Sequence, residues 1–211
     1  FLAGQYIDIL LKNGRRRSFS LANAPQADEM LELHVRLVPG GLFTPRVFST
    51  LQERDILRFE GPHGHFFWRE DAGKPAILIA GSTGFAPIKS LIEQAWQQKS
   101  PRRLSLYWGA RDRAGLYLHE LAQSWAAEHP NFCYVPVLSD AAATDDWQGR
   151  RGLVHQAAMA DFPDLSGHQV YACGAPAMIE AARRDLTVRN GLPDDAFFAD
   201  AFTFAYDAPK P

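Results

Sequence analysis

Three short runs, in order along the chain, carry side chains that could do chemistry together. Arg17, Phe19 and Ser20 stand in the first; Gly81-Ser82-Thr83-Gly84-Phe85-Ala86-Pro87 is the second; Cys173-Gly174-Ala175-Pro176 is the third. A guanidinium holds a pyrophosphate through paired hydrogen bonds. An aromatic ring stacks on a flat heterocycle such as an isoalloxazine, and a serine hydroxyl bonds to its N5 edge. A glycine turn between a buried strand and a helix suits the phosphates of a nicotinamide dinucleotide. A thiol and a glycine at a later strand end would meet it, because ligands of open α/β sheets bind outside the carboxyl ends of the strands. As one ordered set, the runs imply hydride chemistry between two cofactors.

Each run alone has a plainer reading. The first, taken by itself, reads as a basic strand with a core phenylalanine. The second departs from G-x-G-x-x-G and could be an ordinary tight turn. The third could be a buried structural cysteine. A fourth run, Pro39-Gly40-Gly41-Leu42-Phe43-Thr44, opens a helix beside glycines and could be an anion site or an ordinary cap. His63-x-His65 lies on a glycine-rich turn with no third ligand at usable spacing, so no metal is expected. No G-x-S-x-G or similar nucleophile run occurs.

The elements that must position these residues change style along the chain. Gln5 to Leu11 reads as a strand turning at Asn13-Gly14 and returning over Arg16 to Leu21. Alternation puts Arg17 and Phe19 on one face and Ser18 and Ser20 on the other. Leu31, Leu33, Val35 and Leu37 alternate as a half-buried strand would. Thr44 can cap a helix running to about Leu51, with Pro45 at its first position. Ile56 to Glu60 reads as a strand ended by Gly61-Pro62. Such short strands suggest a small antiparallel barrel. Beyond the polar linker Asp71-Ala-Gly-Lys-Pro75, the apolar runs Ala76–Ala80, Leu104–Trp108, Cys133–Leu138 and Val170–Cys173 read as buried strands. Helical stretches lie at about Pro87–Gln98, Tyr117–Glu128, Leu153–Ala160 and Pro176–Arg189. Strands alternating with helices imply a doubly wound parallel sheet. The expected division is 1–71 for the barrel and 75–211 for the sheet.

The chain has 211 residues, 46% of them hydrophobic and 22% charged, which is enough for two modest cores. A net charge of -2 leaves no footprint for nucleic acid. No apolar run is long enough for a membrane span, and no signal-peptide pattern opens the chain. Two distant cysteines fit a reducing, cytoplasmic setting. The chain opens at Phe1 inside a strand pattern, so it reads as an excerpt of a longer protein.

Eight runs in order resemble the ferredoxin–NADP reductase superfamily, in particular its CDP-deoxyglucoseen reductase and NAD(P)H–flavin reductase types. They are G-Q-Y from Gly4, R-S-F-S-L-A-N from Arg17, H-V-R-L-V-P-G-G-L-F-T from His34 and G-P-H-G-H-F-F from Gly61. G-S-T-G-F-A-P-I-K-S from Gly81, Y-W-G-A-R-D from Tyr107, V-Y-A-C-G-A-P from Val170 and F-F-A-D-A-F from Phe197 complete them. The resemblance implies an FAD-binding barrel whose first strand lies upstream, then an NAD(P)-binding domain. It places Arg17, Ser18, Phe19, Ser20, His34, Arg36 and Gly41 to Thr44 (Gly41, Leu42, Phe43, Thr44) at the flavin. It places Gly81, Thr83, Gly84, Pro87, Cys173 and Gly174 at the nicotinamide nucleotide, with Asp200 and Phe202 near the flavin. Ser20, Cys173 and Asp200 are the candidates for the reacting centre. Phe19 departs from the family's tyrosine, keeping the stacking ring and losing the phenolic hydrogen bond.

The reading that follows is a reductase module passing a hydride from NAD(P)H to FAD, then electrons to an iron–sulfur centre. Its partner would be a ferredoxin-like domain or a downstream electron-accepting enzyme. A two-iron, two-sulfur cluster is expected only if such a domain lies upstream. Release of reduced free flavin and a non-catalytic docking subunit are the alternatives. For the coenzyme, Arg111, Ser139 and Asp140 are the candidates. Asp140 stands where NADP-selective relatives often carry arginine, so NADH is the expected donor, with NADPH possible.

Overall fold

The computed structural model describes residues 1–27, 29–69, 73–141 and 146–203. The expected antiparallel first half is a three-stranded sheet of β1 (Tyr6–Leu10), β2 (Arg16–Ser20) and β3 (Arg58–His63), in the order β2-β1-β3. Directly opposed residues of two antiparallel strands share a face. The pairs Ile7↔Phe19 and Ile9↔Arg17 therefore put Arg17 and Phe19 on the inner face, and Asp8↔Ser18 lies on the outer one. Ile7, Ile9, Leu21 and Phe43 form the small core of this half, with Phe19 packed at its margin.

Three expectations for this half change. The strand expected over Leu31 to Leu37 is reduced to one bridge, Leu33 with Leu21. Among the described residues the strand it bridges turns away after Ala22, in the Ala24–Ala27 turn, and offers no further backbone to pair with. β3 does not stop at Gly61-Pro62 but runs through it to His63, while Ile56 stays outside it and exposed. Gly61 permits this. Its φ is 152°, and a β-carbon there would lie 2.8 Å from Ile7 Cγ2, in a stretch where the register with β1 shifts. Thr44 opens α1 (Thr44–Ser49), but its side chain caps nothing. Its hydroxyl oxygen instead accepts from the Val38 N–H at 2.9 Å, closing the glycine turn before the helix.

The second half is a six-stranded parallel sheet. Its strands are β4 (Ala76–Gly81), β5 (Leu104–Ala110), β6 (Phe132–Leu138), β7 (Arg150–Arg151), β8 (Gln169–Gly174) and β9 (Phe197–Ala201). The order is β7-β6-β5-β4-β8-β9. The helices are α2 (Phe85–Gln97), α3 (His119–Glu128), α4 (Val154–Asp161) and α5 (Pro176–Asn190). The chain steps outward from β4 to β7, then crosses to β8 on the other side of β4. That is the doubly wound plan, and its switch point lies between β4 and β8. Period-two alternation splits β4 between two cores: Leu78 and Ala80 on one side, Ile77 and Ile79 on the other. β7 and β9 were not anticipated. Two consecutive arginines carry no strand pattern, and Phe-Phe-Ala-Asp-Ala carries little.

The halves pack on one another through aromatic rings. Trp68 stacks on Tyr171 of β8 at 5.3 Å, and the Arg102 guanidinium lies 4.3 Å from the Trp68 ring centre. Asp71 and Ala72 of the expected linker lie outside the described residues. No helix among the described residues is long and apolar enough to cross a membrane.

Candidate functional site

The site starts at the switch point. Gly81 ends β4, Gly174 ends β8, and Gly84 closes the 3-10 turn that feeds α2. Here Gly84 and Gly174 are steric requirements. A β-carbon on Gly84 would run into the carbonyl of Cys173, 2.6 Å from its carbon and 3.1 Å from the Gly174 nitrogen. One on Gly174, whose φ is 154°, would lie 3.2 Å from the Gly81 Cα, and one on Gly81 would lie 2.7 Å from Met178 Sδ. The two strand ends therefore meet backbone to backbone, with the Met178 side chain lying against both glycines. Ser82 has a left-handed backbone, φ 50°, and its carbonyl accepts from Trp108 Nε1 at 3.0 Å. Such a conformation on a non-glycine residue is held by its surroundings. Pro87 is buried inside the first turn of α2.

Cys173 and Asp200 are cross-strand partners on β8 and β9. Cys173 is fully buried, and burial pushes its thiol well above the ordinary range. Burial also pushes the Asp200 carboxyl up. A neutral thiol is a poor nucleophile, so Cys173 offers a dry, unreactive wall beside the half-buried Asp200. Phe202 follows, its N–H donating to the Gly174 carbonyl at 2.8 Å.

A cleft of about 540 Å³ separates the halves, with Glu32, His34 and Arg36 on one wall and Ser82, Thr83 and Tyr117 on the other. His34 bridges it. Its Nδ1 is 2.6 Å from the Tyr117 hydroxyl and its Nε2 is 2.8 Å from Glu32 Oε1. Burial holds the imidazole below its ordinary value and pushes the Tyr117 phenol up. Burial would raise Glu32 as well, but hydrogen bonds from His34 and Lys89 outweigh it and hold the carboxyl low. The consistent proton placement is Tyr117 O–H to Nδ1 and Nε2–H to the Glu32 carboxylate. A larger basin of about 1020 Å³ lies at the β1–β2 hairpin end, and Phe43 is the one predicted site residue in its lining. The cleft, not the basin, adjoins the glycine trough.

In the first half, the Phe19 ring is 5.4 Å from Phe43, which brings the Gly41–Thr44 run against β2. Leu42 is exposed at the turn. Arg17 shares the inner face with Phe19. Ser20 is buried, and the Ser18 hydroxyl points the other way, donating to Asp8 Oδ1 at 2.6 Å. At the carboxyl ends of β5 and β6, Arg111 Nε donates to Asp140 Oδ2 at 2.8 Å on an exposed surface, with Ser139 beside it. This bond lowers the Asp140 carboxyl.

The structure thus gathers the predicted residues into three groups: β2 with the Gly41–Thr44 run, the glycine trough with Cys173 and Asp200, and the Arg111–Asp140 pair. His34 joins the first half to the second. Tyr117, Glu32 and Lys89 were missed. Tyr117 lies in the turn before α3, and nothing in its spacing marks it. The glycine turn between a buried strand and a helix fits a dinucleotide, because it lets a phosphate approach the backbone closely. The face shared by Arg17 and Phe19 fits a flavin's phosphate and ring.

Comparison with known proteins agrees with this division of labour. The family model described as "Oxidoreductase FAD-binding domain" matches residues 1–68, and "Oxidoreductase NAD-binding domain" matches residues 78–184. The chain is 48% identical to the "CDP-6-deoxy-L-threo-D-glycero-4-hexulose-3-dehydrase reductase" of Yersinia pestis, over 96% of this chain and 60% of that protein. It is 35% identical to the "NAD(P)H-flavin reductase" of Vibrio harveyi, over 97% of this chain and 87% of that one. Among solved structures, the Amycolatopsis cytochrome P450 reductase GcoB superposes with a TM-score of 0.88 at 38% identity, covering 96% of this chain and 61% of that one. The chain therefore spans about 60% of the length of the Yersinia relative.

Proposed function

Because the chain belongs to the ferredoxin–NADP reductase superfamily of FAD- and NAD-binding oxidoreductases, we propose that it is the reductase module of an electron-transfer system. It takes a hydride from NAD(P)H and passes electrons on to an iron–sulfur partner. The observation that carries this reading is the contact of Gly81, Gly84 and Gly174 at the switch point, on the side where the His34 cleft meets the first half.

Arg17, with the Gly41–Thr44 run, would hold the flavin's phosphates, and Phe19 its ring, with Ser20 at the strand end and His34 and Arg36 beside them. Ser18, turned outward, would shape the strand rather than touch the ligand. Gly81, Thr83, Gly84 and Gly174 would hold the nicotinamide nucleotide, with Pro87 fixing the start of α2. Arg111, Ser139 and Asp140 would meet the adenosine end, and Phe202 would cover the flavin. Bound FAD supplies a carrier that accepts two electrons together and releases them singly. The protein's part is position and exclusion of water. The buried Cys173, whose thiol resists ionisation, keeps a thiolate away from the reacting ring. No side chain serves as a nucleophile. The donor is NADH in preference to NADPH, since Asp140 already holds the Arg111 guanidinium.

A second reading is release of reduced free flavin. Phe19 favours it, since this ring carries no hydroxyl to hold a flavin. The test is titration with FAD followed by anaerobic addition of NADH. Binding of FAD and loss of its visible absorbance support the proposal. Failure to bind FAD, or bound FAD that keeps its colour, removes it. Gel filtration of the reduced mixture separates the two readings, by whether the flavin stays with the protein.

A further inference from the structure

We propose that Lys89 is a positioning residue that grips the loop following β2 and so fixes the two cofactor-binding halves relative to each other. This rests on the reductase reading above. Lys89 lies on α2, five residues beyond Gly84, and its side chain is 8% exposed. Its ammonium donates to Glu93 Oε1 at 2.7 Å, Glu32 Oε2 at 3.0 Å and the Ala22 carbonyl at 3.3 Å. An ammonium has three N–H bonds, and all three are used. Ser90, fully buried, donates to the Asn23 carbonyl at 2.7 Å, and Glu93 Oε2 accepts from the Ala24 N–H at 3.2 Å.

Residues i, i+1 and i+4 of one helix thus take hold of three consecutive residues of the other half. Asn23 stiffens the rest of that loop. Its amide donates to the Ala27 and Met30 carbonyls at 2.6 and 3.1 Å, and its oxygen accepts from the Glu32 N–H at 2.9 Å. Ala22 is two residues beyond Ser20, at the end of β2, and α2 starts at the glycine turn. The latch therefore lies within a few residues of both candidate sites. A buried ion cluster is weak evidence for stability, and its best-attested use is to specify one arrangement over others. A misplacement of about 1 Å between reacting groups costs up to about a hundredfold in rate.

The test uses Lys89→Met and Ser90→Ala. In flavin-free protein, amide exchange over residues 22–33 should quicken at least about tenfold in Lys89→Met, with β4 and β8 unchanged. With FAD loaded, flavin affinity should stay within about threefold, while the long-wavelength absorbance of stacked nicotinamide and flavin is lost and flavin reduction slows at least about tenfold. Ser90→Ala, which leaves no unpaired charge, should move exchange and rate in the same direction by a smaller factor, and it decides the matter if Lys89→Met does not fold. Wild-type exchange over 22–33 in these variants overturns the proposal. So does a wild-type absorbance band with a wild-type rate. If the unaltered protein itself fails to reduce FAD, the reductase reading fails, and the exchange measurement still decides whether the latch exists.

Discussion

Gly84→Ala separates the steric argument from every other explanation of the glycine turn. The backbone at Gly84 is right-handed helical, φ −59° and ψ −12°, so alanine fits it without conformational strain. Considered locally, the change should even stabilise, by about 0.4–1 kcal/mol through the unfolded chain. The obstacle is the neighbour. The new carbon would lie 2.6 Å from the Cys173 carbonyl carbon and 3.1 Å from the Gly174 nitrogen, both backbone of a buried strand. Carbon contacts relax at about 3.5–4.0 Å, so the turn must retreat from β8 by roughly 1 Å. Overpacking of this kind costs about 1–3 kcal/mol. The net loss is then about 1–2 kcal/mol, or ~2–8 °C in Tm for a chain of this size. The same retreat widens the trough, and NADH oxidation with an artificial acceptor should fall by up to about a hundredfold in kcat/KM. Gly167→Ala is the control, since no heavy atom lies within 4 Å of its β-carbon; it should leave kcat/KM unchanged and should not lower Tm. A Gly84→Ala protein with wild-type Tm and wild-type kcat/KM would refute the reasoning.

Arg17→Ala should weaken FAD binding by on the order of tenfold or more, because a charge-assisted bond contributes roughly 1.5–3 kcal/mol; an unchanged dissociation constant takes Arg17 out of the site. Cys173→Ser should slow flavin reduction in stopped-flow mixing with NADH while leaving flavin bound, and an unaltered rate would make Cys173 a packing residue alone. Asp140→Ala releases Arg111 from its 2.8 Å partner, so the ratio of kcat/KM for NADPH over NADH should rise several-fold; a ratio that stays put means the pair is not at the adenosine end. His34 binds a proton less readily folded than unfolded. Its contribution to stability is therefore present above the ordinary imidazole value of about 6.5 and is lost as pH falls below it toward the lowered folded value. His34→Gln should flatten that part of the curve of Tm against pH, and an unchanged slope would show that the imidazole titrates normally.

Much of the second half was legible because its signals are local. Ala76–Ala80 and Val170–Cys173 are apolar runs long enough for a strand covered on both faces, and the glycines behind them mark where the chain turns. Gly84 illustrates the limit. Its presence in a βα turn could be read, but the reason for it, the Cys173 carbonyl across the sheet, is a long-range contact no local pattern encodes. Leu31 to Leu37 shows the opposite error. Its alternation was real, yet a strand needs a partner, and the strand it bridges turns off at Ala24. The Lys89 latch was invisible for the same reason as Tyr117. A lysine among helical apolar residues reads as a solvated charge until the other half of the molecule supplies Glu32 and the Ala22 carbonyl.

The most direct test is anaerobic mixing of the FAD-loaded protein with NADH carrying deuterium at the transferring position of the nicotinamide. A flavin that bleaches, and bleaches more slowly with the deuterated coenzyme, is the expected result, since the hydride must cross from ring to ring. A flavin that keeps its absorbance with saturating NADH and NADPH, or that bleaches at a rate set by contaminating reductant regardless of coenzyme, would contradict the assignment of this chain as a hydride-accepting reductase module.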